Sequence, residues 1–283
     1  MMKVLGLVAS PRKLGNSEIL VKAMMSFLPD TVEKEMIRLT DLDIKTCKAC
    51  YSCLPEERNC ILKDDLGFLF EKLKAADAVI IASPCYALGP HTSIKMIGDR
   101  LLSVLANSKD YANKKCITAI VYGVPGWEGY AREAVNNFAR FFHLDVVGSM
   151  IAQAAIPGEV IRQDVMAEAQ SLALKLIQPA TVDNSSVTEA LICQDCGSSV
   201  LQFSPSGSIR CVMCNAHGTM QTTKDGYRLS FTPRSHSRFS PAGSEEHGQL
   251  LQSLKSKYIA TQQELSEKRK PYSKDDWWVK IEP

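Results

Sequence analysis

The sequence predicts an α/β protein: a three-layer sandwich around a five-stranded parallel sheet, with a small β domain and a C-terminal helix appended. Three observations predict it. Short, wholly apolar runs alternate with stretches of helical periodicity across residues 1–178, the pattern of a parallel sheet covered on both faces. Two Cys-x2-Cys pairs, Cys193/Cys196 and Cys211/Cys214, then stand a hairpin's length apart. Between the two regions the composition shifts to a Pro-, Ser- and Asn-containing stretch that reads as a linker.

Residues 3–9, KVLGLVA, form the first strand. It ends at Ser10-Pro11-Arg12 and Lys13-Leu14-Gly15-Asn16-Ser17, after which residues 18–27 have helical periodicity. This junction has the chemistry of an anion site. Ser10, Asn16 and Ser17 offer hydroxyl and amide donors, Gly15 permits close backbone approach, and Arg12 carries a charge suited to phosphate. The helix start supplies free amides, with Asn16 or Ser17 as its expected cap. An ordinary βα loop is the alternative. Residues 34–39, KEMIRL, form the second strand.

Residues 47–60, CKACYSCLPEERNC, hold four of the chain's ten cysteines, spaced C-x2-C-x2-C-x6-C: Cys47, Cys50, Cys53 and Cys60. Three thiolates at intervals of three can curl around one inorganic centre, and the fourth can close its far corner. Iron–sulfur ligation is the favoured reading. Zinc is the first alternative, although its Cys-x2-Cys knuckles are usually separated by a longer hairpin. Reduced thiols without metal are the second. Lys63-Asp64-Asp65 opens a helix over 65–75, with both aspartates as expected caps.

Residues 77–83 form the third strand, leading into Pro84, Cys85, Tyr86 and Ala87. Loops at the C-terminal ends of parallel strands are where such sheets bind ligands. Cys85 has no base beside it in the sequence and reads as packing rather than a nucleophile. His91 reads as solvent-facing. Residues 115–123 form the fourth strand, with Cys116 as inert core and Tyr122-Gly123 at its end. A helix over 132–143, a fifth strand over 144–152 and a helix over 159–177 complete the sandwich, with expected strand order 2-1-3-4-5.

The expected organisation is an α/β domain over 1–178, a linker over 179–189, a zinc ribbon over 190–232, and a loop, helix and tail over 233–283. Cys193, Cys196, Cys211 and Cys214 are the ribbon's expected ligands, because so small a domain has almost no core and needs a staple. Zn2+ is favoured there over iron. Gly197 and Asn215 follow the two pairs, where positive φ helps the knuckle turn. Strands are expected at 200–203, 208–210 and 227–231, and a helix over 245–268. His217, His236 and His247 read as surface residues. Trp277-Trp278 in the charged tail reads as a docking element.

Lys plus Arg number 33 against 31 Asp plus Glu, a balance that argues against a dedicated nucleic-acid or membrane-surface binder. The start lacks the shape of a signal peptide and no apolar run approaches a membrane span. The expected location is cytoplasmic, where clustered cysteines serve metal or redox chemistry rather than disulfides.

The segment Ser10-Pro-Arg-x-x-Gly-Asn-Ser17 resembles the phosphate loop of the NAD(P)H-dependent FMN reductases, a family of flavodoxin-like fold. The cysteine segment, with Lys63-Asp64-Asp65, resembles that of its iron–sulfur flavoprotein branch. Ser83 to Tyr86, followed by Ile94-Lys95 and Asp99-Arg100, resembles the second flavin loop and its helix. The resemblance covers about residues 1–178. It implies that Ser10, Arg12, Gly15, Asn16 and Ser17 hold the FMN phosphate. It also implies that Pro84, Cys85, Tyr86 and Ala87 lie along the flavin ring, and Tyr122 and Gly123 are placed there with them. Trp127 either stacks on the ring or covers the pocket. Lys95, Asp99 and Arg100 are expected in ion pairs at a subunit interface. The implied protein is an oxidoreductase passing electrons between a 4Fe-4S cluster and FMN, as a homodimer or homotetramer, with a ferredoxin-type partner. One alternative is an NAD(P)H-dependent FMN or quinone reductase without the cluster. The other is a non-enzymatic redox carrier or sensor that docks a protein partner.

Overall fold

The computed structural model describes residues 1–54, 60–178, 191–224 and 226–270. The expected linker and the Trp277-Trp278 tail lie outside the described residues.

Strand β1 (Lys3–Val8) opens the chain, followed by α1 (Asn16–Ser26) and β2 (Glu33–Arg38). Then come α2 (Leu66–Ala75), β3 (Ala78–Tyr86), a two-residue β4 (Gly89–Pro90) and α3 (Thr92–Gly98). Strand β5 (Lys115–Tyr122), α4 (Ala131–Phe141), β6 (Asp145–Gln153) and α5 (Gln163–Ile177) complete the sandwich. The parallel strands run β2-β1-β3-β5-β6, the order expected, and β4 folds back antiparallel on the end of β3.

The apolar run of β1 follows from burial on both faces. Leu5 and Leu7 enter the core under α2, α3 and α4, while Val4 and Val8 enter the core under α1 and α5. Pairing of Val8 with both Arg38 and Ala82 brings the ends of β2, β1 and β3 to one edge. The loops from this carboxyl edge carry the site. A ten-residue 3-10 segment, Leu101–Asp110, follows α3 where no element was expected. It leads to Tyr111, whose ring lies 5.8 Å from that of Phe142.

The C-terminal third holds β7 (Leu201–Phe203), β8 (Ser208–Cys211), β9 (His217–Thr223) and β10 (Gly226–Phe231), an antiparallel sheet in the order β10-β9-β8-β7. Strand β9 is an addition to the expected ribbon; its polar, glycine-containing sequence carries little strand signal. Helix α6 spans Pro241–Arg269, so residues 241–244, expected as loop, are helical. The start signal is local: the Ser240 hydroxyl accepts the Gly243 amide at 3.1 Å, and Pro241 sits where a missing N–H costs nothing.

This part docks on α4. The Glu133 carboxylate accepts the Ser199 amide and hydroxyl at 3.3 and 3.0 Å. His143 meets the Phe239 carbonyl at 2.7 Å through Nδ1 and the Ser244 hydroxyl at 3.1 Å through Nε2. No helix among the described residues is long and apolar enough to cross a membrane.

Candidate cofactor site and metal centres

The turn after β1 contains the expected donors. Ser10 and Ser17 are buried and Arg12 is exposed. Helix α1 begins at Asn16 with Gly15 as its cap, and no side chain among the described residues caps it. Asn16 is occupied elsewhere: its amide donates to Ile156 O at 2.9 Å and accepts the Gly158 amide at 2.8 Å, tying the turn to the loop after β6. Gly15 has φ −75°, open to any residue, and the left-handed residue is Leu14 at φ 52°. What Gly15 provides is space, since a Cβ there would stand 2.9 Å from Arg12 Cβ.

Two residues not anticipated from the sequence hold this turn. Arg38, at the end of β2, donates to Ser10 O at 2.7 Å and Arg12 O at 3.0 Å. The same guanidinium binds the Glu18 carboxylate, which accepts the Leu14 amide at 2.7 Å. Lys22, with Arg38 and that amide, overcomes burial and holds the Glu18 carboxyl at about 2. These bonds hold the shape of the turn from within the chain. Two buried hydroxyls, the acceptor-less amides of the first helical turn and an exposed guanidinium suit a phosphate monoester, so the FMN phosphate fits.

The loops after β3 and β5 are locked together beside it. Tyr130 donates its amide to Leu88 O at 2.8 Å. Gly129, at φ +53°, packs so tightly that a Cβ would stand 2.2 Å from Leu88 O. The Cys85 thiol donates to Trp127 O and Glu128 O, both at 3.3 Å. Burial pushes that thiol up, which agrees with packing rather than nucleophilic duty. Ala87 is left-handed at φ 48°. Tyr86, Trp127 and Tyr130 expose 47%, 63% and 59% of their surfaces, an aromatic collar suited to a planar ring. Pro84 lies near the end of β3, paired with Val121, and Tyr122 closes β5; Tyr122 O accepts the Ala154 amide, and Gly123 O accepts Gln153 Nε2. His91 is partly buried and caps α3, accepting the Ser93 amide, rather than facing solvent.

The cysteine segment is a loop closed at its neck. Asp65 accepts the Asp43 amide at 2.7 Å, and Asp43 O accepts the Asp65 amide at 3.0 Å. Asp64 accepts the Lys45 amide at 2.8 Å, and Lys45 Nζ reaches Lys63 O at 2.7 Å. Asp64 and Asp65 thus join the two ends of the loop. Capping is a minor part of their role, limited to a long 3.3 Å contact from the Leu66 amide to Asp64. Arg100 completes the neck. Its guanidinium grips both oxygens of Asp64 and donates to Lys45 O at 3.1 Å. Arg100 and Asp64 side chains are 0% and 1% exposed, so Arg100 is not the surface interface residue expected; Lys95 and Asp99 pair with each other on the surface. Burial works against the Arg100 charge, but Asp64 and then Cys60 more than offset it and raise its pKa.

Within the loop, Ala49 and Tyr51 are left-handed at φ 48° and 54°. Cys47 and Cys50 are exposed, and Cys53 and Cys60 partly buried. Hydrogen bonds from Ser52 lower the Cys50 thiol, whereas burial, with Cys60, Cys50 and Cys47 nearby, raises Cys53. The other three cysteines thus bear on Cys53, while among the described residues one other set of thiols converges tightly enough for a single ion.

That tight convergence occurs in the C-terminal third. The sulfurs of Cys193, Cys196, Cys211 and Cys214 lie within 4.8 Å of one another, all buried. Cys193–Cys214 and Cys196–Cys211 are 3.5 and 3.6 Å apart. A tetrahedral ion with metal–sulfur bonds of about 2.3 Å needs edges of about 3.8 Å. Gly197 and Asn215 have φ +66° and +62°, and their amides close the knuckles on Cys193 O and Cys211 O. His236 pairs with Glu246 at 2.8 Å and His217 is exposed, so among the described residues the four thiols alone converge as a group that could hold a metal ion.

Residues 2–155 match the family described as NADPH-dependent FMN reductase. The chain belongs to this family. Over 100 residues, 35% of this chain and 51% of the relative, it is 38% identical to an iron–sulfur flavoprotein of Methanocaldococcus jannaschii. An iron–sulfur flavoprotein of Archaeoglobus fulgidus is 29% identical over 60% of this chain and 76% of its own. One of Methanosarcina thermophila is 28% identical over 50% and 74%. The chain thus spans about half the first relative's length and about three quarters of the other two. A solved structure of a flavone reductase superposes over 99% of this chain and 100% of its own, with a TM-score of 0.75 and 18% identity. The shared fold therefore includes the C-terminal third. As a member of the FMN reductase family, this chain is a flavin-dependent oxidoreductase.

Proposed function

We propose that this family member passes electrons between FMN, held at the carboxyl edge of the sheet, and a 4Fe-4S cluster on Cys47, Cys50, Cys53 and Cys60. When bound, FMN supplies one- and two-electron chemistry and the cluster one-electron chemistry. The chain's own residues supply placement. Ser10, Ser17 and the first-turn amides of α1 bind the phosphate, with Arg12 as counter-charge. Arg38 and Glu18 keep that cradle formed. The backbone of Pro84 to Ala87, with Tyr122 and Gly123, flanks the ring, and Tyr86 and Trp127 exclude water from its face.

The observation that carries the reading is α3. It starts at the second flavin loop, where His91 caps it, and its chain continues to Arg100 at the neck of the cysteine loop. Seven residues make a helix about 10 Å long. One rigid element thus joins the two proposed cofactor sites. Spread thiols favour a multinuclear cluster, in which each cysteine binds its own iron, over a single ion. In the ribbon we propose Zn2+, whose structural role matches four buried, closely set thiols. A homodimer or homotetramer working with a ferredoxin-type donor fits this reading, in the cytoplasm.

A second reading is an NAD(P)H-dependent FMN or quinone reductase. The family description favours a nicotinamide donor. Anaerobic purification with iron, sulfide, zinc and FMN counted per chain separates the two. About four iron and four sulfide, lost in Cys50→Ser while FMN and zinc stay, supports the cluster. Flavin and zinc without iron, with bleaching by NAD(P)H, overturns it.

A further inference from the structure

The neck of the cysteine loop contains a buried cation with one nitrogen left without an acceptor among the described residues. Arg100 lies on no cofactor loop, yet its side chain is wholly buried. Its two terminal nitrogens are committed to Asp64 and Lys45 O. Its Nε is buried and has no hydrogen-bond partner among the described residues. An unsatisfied buried donor is costly unless a ligand completes it. The same residue lines a cavity of about 360 Å³ together with Cys60, Asp64, Ser103 and Tyr111. A cation and a spare donor therefore share a cavity with one of the four proposed ligands. The guanidinium also holds Lys45, two residues before Cys47, and Asp64, four residues after Cys60.

We propose that Arg100 is a positioning residue for the iron–sulfur centre: it clamps both ends of the cysteine loop, and its spare Nε–H and charge stabilise the sulfur-bound negative charge at Cys60. The proposal rests on the cluster reading above. Reduction adds one electron, and so one negative charge, to the centre. A buried cation beside it favours the reduced form and raises the potential; Asp64, the anion of the pair, acts in the opposite sense. The two residues therefore share one structural role and have opposite electrostatic ones.

This opposition is the test. The full-length protein is reconstituted anaerobically and the cluster is titrated with dithionite, with the electron paramagnetic resonance signal as readout. Arg100→Gln should disfavour reduction about tenfold, a fall of about 59 mV for one electron. Asp64→Asn should move the potential upward. Arg100→Lys, which keeps the charge but loses the fork, should hold the potential nearer the wild type while releasing iron faster to a chelator. FMN and zinc counts report whether each variant is folded. If Arg100→Gln takes up no iron while Arg100→Lys does, the charge requirement stands. If all three variants fail to load, or if Arg100→Gln and Asp64→Asn leave the potential unmoved or shift it in one direction, Arg100 is only a folding clamp and the proposal is overturned. A wild-type protein that binds FMN and no iron fails at the earlier step and removes the cluster reading itself.

Discussion

Arg38 Nη2 meets the Glu18 carboxylate at 2.5 Å across the mouth of the phosphate turn, joining the end of β2 to the first turn of α1. The pair holds the turn from both sides, through Ser10 O and Arg12 O on one and the Leu14 amide on the other. Arg38→Ala leaves the Glu18 carboxylate without this partner and frees two carbonyls. FMN affinity should fall about tenfold, or about 1.4 kcal/mol, by fluorescence titration.

The same pair sets an acid limit. The Glu18 carboxyl stands at about 2 in the fold against an ordinary 4.5. Because the folded value is the lower one, its stabilisation is complete above about 4.5 and is lost as pH falls towards 2. Thermal unfolding from pH 6 downward should show that loss in the wild type, and Glu18→Gln should flatten it.

His143 ties α6 to the sandwich in its neutral form. Nδ1–H donates to Phe239 O, leaving Nε2 to accept from the Ser244 hydroxyl. Burial lowers its pKa below 6.5, with the Phe239 carbonyl partly opposing. Unfolding therefore takes up a proton below pH 6.5, and stability falls as pH drops through that window. Protection from hydrogen exchange at the start of α6, corrected for the intrinsic rate, should weaken as pH falls below 6.5 in the wild type. In His143→Gln the pH dependence should vanish.

Gly129 is the point where the loops after β3 and β5 touch. Gly129→Ala forces a left-handed alanine against Leu88 O. The expected cost is about 1–3 kcal/mol of stability, read in denaturant unfolding, with weaker FMN binding.

Cys196→Ser should remove the ribbon's metal and leave flavin in place. A mild chelator should act in the same way on the wild type, with protease sites opening between residues 191 and 231 while the α/β domain persists.

Much of the architecture was legible because burial on both faces writes itself as unbroken apolar runs, such as residues 3–9 and 77–83. The four ribbon cysteines were equally legible, since a Cys-x2-Cys knuckle followed by Gly197 or Asn215 is a local geometry. Strand β9 was not, because its residues are mostly polar and exposed and their backbone pairing leaves no apolar period in the sequence. Asn16 is expected among the phosphate donors, whereas its amide bridges to residues 156 and 158, partners 140 and 142 positions away.

By itself the sequence determined what depends on neighbours along the chain: strand and helix periods, the local turns of the Cys-x2-Cys pairs, and both cysteine spacings. The tertiary structure decided what depends on charges meeting across the fold. Arg38 reached Glu18, Arg100 reached Asp64, and His143 reached Ser244, over separations of 20, 36 and 101 residues. Hydrophobic patterning is periodic and so can be read from one strand or helix. An ion pair or a buried hydrogen bond leaves no period, because its meaning lies in the partner that folding brings to it.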